Sequence, residues 1–235
     1  KDVFLAPVIK DLARLSAARN SHSMASDNPV GEFPSTPIMR WLSDIGGLDR
    51  QFSQSVMLSL PAGCTESSLI SAVQLLIDQH AMLRAVWTQP DVIETLSAGS
   101  IEARQLFSKQ LFSKQNKNEI DIAELERALT TELNPGQGQL LRACWLPEHL
   151  PEEHLQEEHL PEGDSHPGSL LLVAHHIAVD AVSWQILISD FMTLLQDICN
   201  GNPPLPVKQT TSFRSWSQHL HSLSERFQSQ QSLWR

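Results

Sequence analysis

One stretch constrains the fold more than any other. Ser169-Leu170-Leu171-Leu172-Val173-Ala174 is an unbroken apolar run, and it leads directly into His175-His176. A run this short and this apolar fits a strand buried on both faces. A long apolar helix is expected just after it, from about Ala181 to Ile198, closed by Gly201-Asn202-Pro203-Pro204. The two histidines therefore sit at the end of a buried strand. Asp180 stands four residues after the second of them, where the helix should begin.

The remaining chain supplies strands and helices to pack against that pair. Residues 2–16 read as a short amphipathic helix, with Val8, Ile9, Leu12 and Leu15 at helical spacing. Residues 17–35 are rich in Ser, Ala, Asn and Pro and read as a linker. Phe52 to Leu60 is a strand candidate ending at Pro61. Thr65 is placed to cap a helix running to about Leu83, with Leu69, Ile70, Val73, Leu76 and Ile77 on its apolar face. Further strands are expected at Arg84 to Trp87, 101–107 and Leu140 to Leu146. Asp121 opens a helix that Asn134-Pro135-Gly136 stops, and a last amphipathic helix begins near Ser212. Strands mixed with long helices indicate an α/β (α+β) two-layer sandwich. Two segments stand apart from this pattern: a tandem LFSKQ repeat after Gln105, and an acidic insertion over 147–168 in which Glu-His-Leu recurs every five residues. Both read as surface loops.

Composition excludes several function classes. The formal net charge of −10 argues against a nucleic-acid partner, which a basic stripe would announce. No apolar stretch approaches the ~20 residues that span a bilayer, so no membrane partner is expected. There is neither a GxGxxG nor a Walker-type loop, and nothing supports nucleotide binding. Cys64, Cys144 and Cys199 are scattered and share no metal-like spacing. A reduced, cytoplasmic protein is the simplest expectation. The start at Lys1 suggests a piece of something longer. His149, His154, His159 and His166 have no known ligand spacing, so no metal site is expected.

The chemistry-bearing candidate is the HHxxxD turn. A strand end aims side chains rigidly into a cleft. Histidine, with its pKa near neutrality, suits a general base. On residues alone a structural reading stands beside the catalytic one: Asp180 as a helix N-cap, His175 as a satisfied core histidine.

The flanking residues shift that balance. His175-His176-Ile177-Ala178-Val179-Asp180-Ala181-Val182-Ser183-Trp184 resembles the active-site motif of the condensation superfamily of nonribosomal peptide synthetases. Its Ser183-Trp184 extension is the form seen in epimerization domains. Thr36-Pro37-Ile38-Met39-Arg40-Trp41, His80-Ala81-Met82-Leu83-Arg84 and Leu205-Pro206-Val207-Lys208-Gln209-Thr210-Thr211-Ser212-Phe213-Arg214-Ser215-Trp216 resemble three further blocks of that family, in the family's order. Asp2 to Ala13 resembles the closing helix of a carrier domain. The resemblance thus divides the chain into the last helix of a carrier (1–16), a linker (17–35) and the N-terminal lobe of an epimerization/condensation-type domain (36–235).

The resemblance implies one lobe of a two-lobed, chloramphenicol acetyltransferase-like fold. The expected partners are a peptidyl carrier domain and a C-terminal lobe. No cofactor would be bound directly; the aminoacyl or peptidyl thioester arrives on the carrier's phosphopantetheine through a tunnel between the lobes. His176 matches the histidine that faces the substrate and exchanges the α-proton, and His175 its structural neighbour. Asp180 matches the aspartate that pairs with the arginine matched by Arg84. Ser183, Trp184 and Ala181 are expected near the tunnel floor, with Trp184 equally readable as core. Two departures stand out. Ala181 replaces the family's glycine, and the second lobe, with the glutamate that epimerization needs, is absent, so the lobe by itself is expected to be inactive. The rival readings are a condensation domain that forms amide bonds, and an inactive module that docks the carrier.

Overall fold

The computed structural model describes residues 27–46, 52–110, 121–147, 168–205 and 211–224, with isolated positions at 8, 10 and 230. The expected carrier helix, the second LFSKQ copy and most of the His-bearing insertion lie outside the described residues.

The apolar run forms strand β7 (Ser169–His175), and every residue of it is buried. The cause is position. β7 lies between β2 (Ser53–Ser59) and β6 (Leu141–Leu146), antiparallel to both. β5 (Phe107–Lys109) adds to β6 in parallel, giving the order β2-β7-β6-β5. Alternate residues of β7 then serve two cores. Leu170, Leu172 and Ala174 pack with helices α2 (Glu66–Gln79) and α5 (Ala181–Cys199). Leu171 and Val173 pack with α4 (Ile122–Thr131) and Leu133 on the reverse face. Each such leucine contributes about 1.5–3 kcal/mol through burial. The expected α/β sandwich is the main arrangement, and the short α4 is a cover on the sheet's other side.

A second sheet has the order β1-β4-β3, from β1 (Gly31–Pro34), β4 (Val92–Thr95) and β3 (Ala85–Gln89). β1 falls inside the stretch expected to be linker, so the ordered lobe begins earlier than residue 36. Its four residues have no alternation to reveal them. Gly31 adopts φ +110, which favours glycine. α1 (Pro37–Asp44) follows, with proline in its first turn.

Two expected boundaries are displaced. The helix capped by Thr65 does have its cap, in a reciprocal box with Ser68. It ends at Gln79, however, and a separate 3-10 turn covers Ala81–Arg84. Arg84 explains the break. Its guanidinium folds back onto the carbonyl oxygens of Ile77 and Asp78, while Nε donates to Leu96 O at 3.1 Å. The strand expected over 101–107 is mostly the short helix α3 (Ala103–Leu106), which leads into β5. Gln74 of α2 holds its start: Oε1 accepts from Ala103 N at 2.8 Å, and Nε2 donates to Ile101 O at 2.9 Å.

Candidate active site

His175 closes β7 opposite Ser53, and the main chain stays in register one residue further, where His176 N donates to Phe52 O at 2.9 Å. The two imidazoles point to different surroundings. His175 is fully buried, and its Nδ1 accepts the N–H of Ile177 at 3.2 Å. That bond leaves Nδ1 unprotonated and ties the ring to the turn it precedes. His176 is half-buried and stacks on Phe52, with ring centroids 4.8 Å apart and planes at 17°. Phe52 was not among the expected site residues; a lone aromatic before a loosely alternating strand carries no mark of its role.

His176 lines a cavity of about 900 Å³. Most of its wall comes from four places, with Pro29, Phe52 and Thr95 besides. The HHxxxD turn and α5 provide His176 to Asp180, Ser183, Ile186 and Asp190. α1 provides Ile38, Trp41 and Leu42, and the turn after α2 provides His80 and Met82. The last helix, α6 (Phe213–Ser222), provides Phe213 and Trp216, with Thr211 and Ser212 before it. Ile38, Trp41, Val182 and Ile186 are more than half exposed although apolar.

The expected pair of Asp180 and Arg84 is not formed. Asp180 is exposed and is the N-cap of α5: Oδ1 accepts Ser183 N and Ser183 Oγ, each at 2.7 Å. These bonds from Ser183 hold its carboxyl below the usual carboxylate range, and nearby His176 adds to the effect. Arg84 is 3 % exposed and satisfied by main-chain oxygens, so its charge has no need of Asp180. Of the three residues expected along the tunnel floor, Ser183 lines the cavity and Ala181 and Trp184 do not. Ala181 is exposed at the first position of α5, and its methyl lies outside the cavity wall. Trp184 belongs to the core. It is 9 % exposed, and its Nε1 donates to Gln54 Oε1 at 3.1 Å.

His80 and Asp190 form a pair that the sequence did not announce. His80 Nε2 lies 2.9 Å from Asp190 Oδ2, joining the end of α2 to the middle of α5 on the cavity wall. Burial pushes the His80 pKa down and Arg84 acts in the same direction, while the bond and charge of Asp190 oppose them, leaving it lowered. Its partner lies 110 residues away.

Chemically, the turn separates the roles of its polar residues. Asp180 is committed to a cap and His175 to a buried main-chain bond. His176 presents an imidazole to the cavity, and among the described residues no side chain hydrogen-bonds it. An imidazole open to such a space is chemically able to accept a proton.

Comparison with known proteins indicates the family. The family model described as "Condensation domain" matches residues 38–235. A linear gramicidin synthase of Brevibacillus parabrevis is 31% identical over 240 residues, covering 100% of this chain and 4% of that protein. A surfactin synthase of Bacillus subtilis (strain 168) is 30% identical over 241 residues, again covering 100% of this chain and 6% of that protein. The chain thus spans only a small part of the curated relatives it matches. Among solved structures, the epimerization domain from the third module of tyrocidine synthetase B superposes with a TM-score of 0.70 at 22% identity, over 91% of this chain and 45% of that one. The starter condensation domain of rhizomide synthetase superposes with a TM-score of 0.62 at 12% identity, over 86% of this chain and 48% of that one. The fold is therefore that of about half of such a chloramphenicol acetyltransferase-like domain, and the chain belongs to the condensation-domain family.

Proposed function

We propose that this lobe is the N-terminal half of a peptide synthetase epimerization domain, inverting Cα of an aminoacyl or peptidyl thioester carried on phosphopantetheine. The observation that carries the reading is a shared cavity. The HHxxxD turn and the Ser212-Phe213-Arg214 block line the same space, His176 on one wall and Phe213 with Trp216 on another. That second block and the Ser183-Trp184 extension are the features that resemble epimerization domains rather than condensation domains.

In the proposed step His176 accepts the α-proton. The Cα–H bond breaks, and its electron pair moves into the thioester carbonyl to give an enolate. Return of a proton to the opposite face inverts the centre with no net change in atoms, and the resemblance assigns that face to a glutamate of the second lobe. The carrier domain and the C-terminal lobe are the partners this scheme requires. The chain covers 45% and 48% of the two solved domains, as one lobe of two would. A second reading, amide formation by a condensation domain, is equally compatible with the family model. There the same histidine would receive the proton of an attacking amine while the carrier thiol leaves.

The test uses the full-length synthetase. Its carrier is loaded with a panel of L-aminoacyl thioesters in heavy water, and deuterium at Cα is followed by mass spectrometry. Uptake that disappears in His176→Ala supports the epimerase. Absence of uptake with every substrate, together with amide formation on an acceptor carrier, would replace it with the condensation reading.

A further inference from the structure

A polar pair interrupts a largely apolar part of the cavity wall. His80 and Asp190 line the cavity, as do Met82, Leu83, Ile186 and Leu187, and His80 Nε2 lies 2.9 Å from Asp190 Oδ2. Main-chain bonds fix His80 between α2 and the turn that follows: its N–H donates to Leu76 O at 3.0 Å, and its carbonyl accepts Leu83 N at 2.9 Å. A carboxylate can only accept, so Nε2 carries the ring proton and Nδ1 keeps a lone pair. Among the described residues no group hydrogen-bonds Nδ1. The two side chains retain 16% and 18% of their surface, so a molecule in the cavity can reach them. The helices the pair joins, α2 and α5, already share a buried core that includes Leu69, Leu76, Leu187 and Phe191. A few polar groups set in an apolar wall are what orient a ligand.

Charge narrows the choice of ligand. Burial, with Arg84 acting in the same direction, keeps the His80 pKa below its ordinary value, so the ring is neutral near neutral pH. The pair then carries the single negative charge of the Asp190 carboxylate. The other ionisable residues on the described wall are His176, Asp180 and Arg214. Asp180 is taken up by Ser183, and Arg214 by the main-chain oxygens of Asn28 and Glu32. Arg84 does not line the cavity. The pair is therefore the place on this wall that favours a cation.

We propose that His80, held by Asp190, binds the free α-ammonium group of the acyl unit, so that the cavity selects aminoacyl over peptidyl thioesters. This rests on the proposed reading in which the cavity takes a carrier-bound thioester. An ammonium N–H donates to His80 Nδ1, and the Asp190 carboxylate on the far side of the ring supplies the opposite charge. In a peptidyl thioester the same nitrogen is an uncharged amide, and the charge-assisted part of the bond is lost. His80 is the group that touches the substrate. Asp190 is a positioning residue that acts through it, setting the tautomer and the angle of the ring.

The experiment titrates three probes into the full-length synthetase, its own carrier left without an arm. They are the L-leucyl, N-acetyl-L-leucyl and isocaproyl amides of aminopantetheine, in which nitrogen replaces the thioester sulfur and no acyl transfer occurs. The isocaproyl group is the leucine skeleton without its nitrogen. Wild type should bind the leucyl probe about 10-fold more tightly than either of the others. His80→Phe and Asp190→Asn should each reduce that preference to within about 2-fold and leave the isocaproyl affinity unchanged. Asp190→Asn keeps the shape of the side chain, so the preference stays readable even if His80→Phe does not fold. Because the readout is a difference between wild type and variants, binding elsewhere in the protein cancels. A preference kept in both variants overturns the proposal. So does an equal loss of all three probes, which would make the pair a brace between α2 and α5. Wild type that binds the probes without preference overturns it as well. If wild type binds none of them, the reading of the cavity as a thioester site fails and takes the proposal with it.

Discussion

Asp180 gives its Oδ1 to both the main-chain N–H and the hydroxyl of Ser183, each at 2.7 Å, and makes no bond to Arg84. The two charged residues of the motif set therefore act separately. Replacing Asp180 with Ala removes an N-cap and should cost about 0.5–2 kcal/mol. Arg84→Met should cost more, because the carbonyls of Ile77, Asp78 and Leu96 lose their donor, at about 1–3 kcal/mol for a buried group left unsatisfied. The double variant should equal the sum of the singles within about 0.5 kcal/mol in urea unfolding. A coupling well above that would restore the ion pair expected from the resemblance.

The histidines should separate in the same way. His175→Gln disturbs a fully buried ring whose Nδ1 holds Ile177 N, and the variant should unfold at lower urea. His176→Gln leaves a half-exposed position with its main-chain bond to Phe52 O intact, and should keep wild-type stability. If His176 is the base, that same variant should lose about 100- to 10,000-fold in turnover. Loss of stability in His176→Gln comparable to His175→Gln would remove the distinction.

The parts of this site that were legible in the sequence are those that neighbour one another along the chain. Ser169 to His175 announced a central strand by being apolar at nearly every position, and Asp180 stands where a helix cap belongs. What escaped is long-range. Asp27 meets Ser212 across 185 residues, and His80 meets Asp190 across 110. No spacing rule joins such residues; sheet order and helix packing do. Arg84 failed as an expectation for a related reason. The resemblance gives Arg84 a carboxylate partner, while the end of α2 offers it carbonyl oxygens a few residues away. β1 and β4 are four residues each, too short for period-two alternation to stand out.

The His80 imidazole supplies a pH dependence of known sign. Its pKa in the fold lies below the ordinary 6.5, first because of burial, with Arg84 acting in the same direction and Asp190 against it. The unfolded chain therefore takes up this proton more readily than the folded one. Stability from this residue is complete above pH 6.5 and declines as pH falls below it, until the lower folded value is passed. In His80→Gln the segment of the stability profile just below pH 6.5 should be flatter than in wild type, measured by urea unfolding at half-unit steps. A steeper segment in the variant would mean that Asp190 outweighs burial.

Cys64 and Cys199 stand apart in sequence, yet the fold brings their sulfurs within 3.8 Å, at the start of α2 and the end of α5. Burial, with Cys199 beside it, pushes the Cys64 thiol up to about 12, and Cys199 is the more exposed of the two. A diazene oxidant such as diamide would take two electrons and two protons from the pair as it becomes a hydrazine, leaving one sulfur–sulfur bond. A bond of about 2.05 Å requires the sulfurs to approach by about 1.8 Å. Cys144 is buried in a different cluster and should stay reduced. Diamide should thus consume two of the three thiols, give a Cys64–Cys199 peptide under non-reducing mapping, and raise the unfolding temperature. For a loop of 135 residues the stabilisation has an upper bound of about 5 kcal/mol. Cys64→Ser should abolish all three changes. Consumption of Cys144 at the same rate as Cys199 would show that the pair has no special geometry in solution.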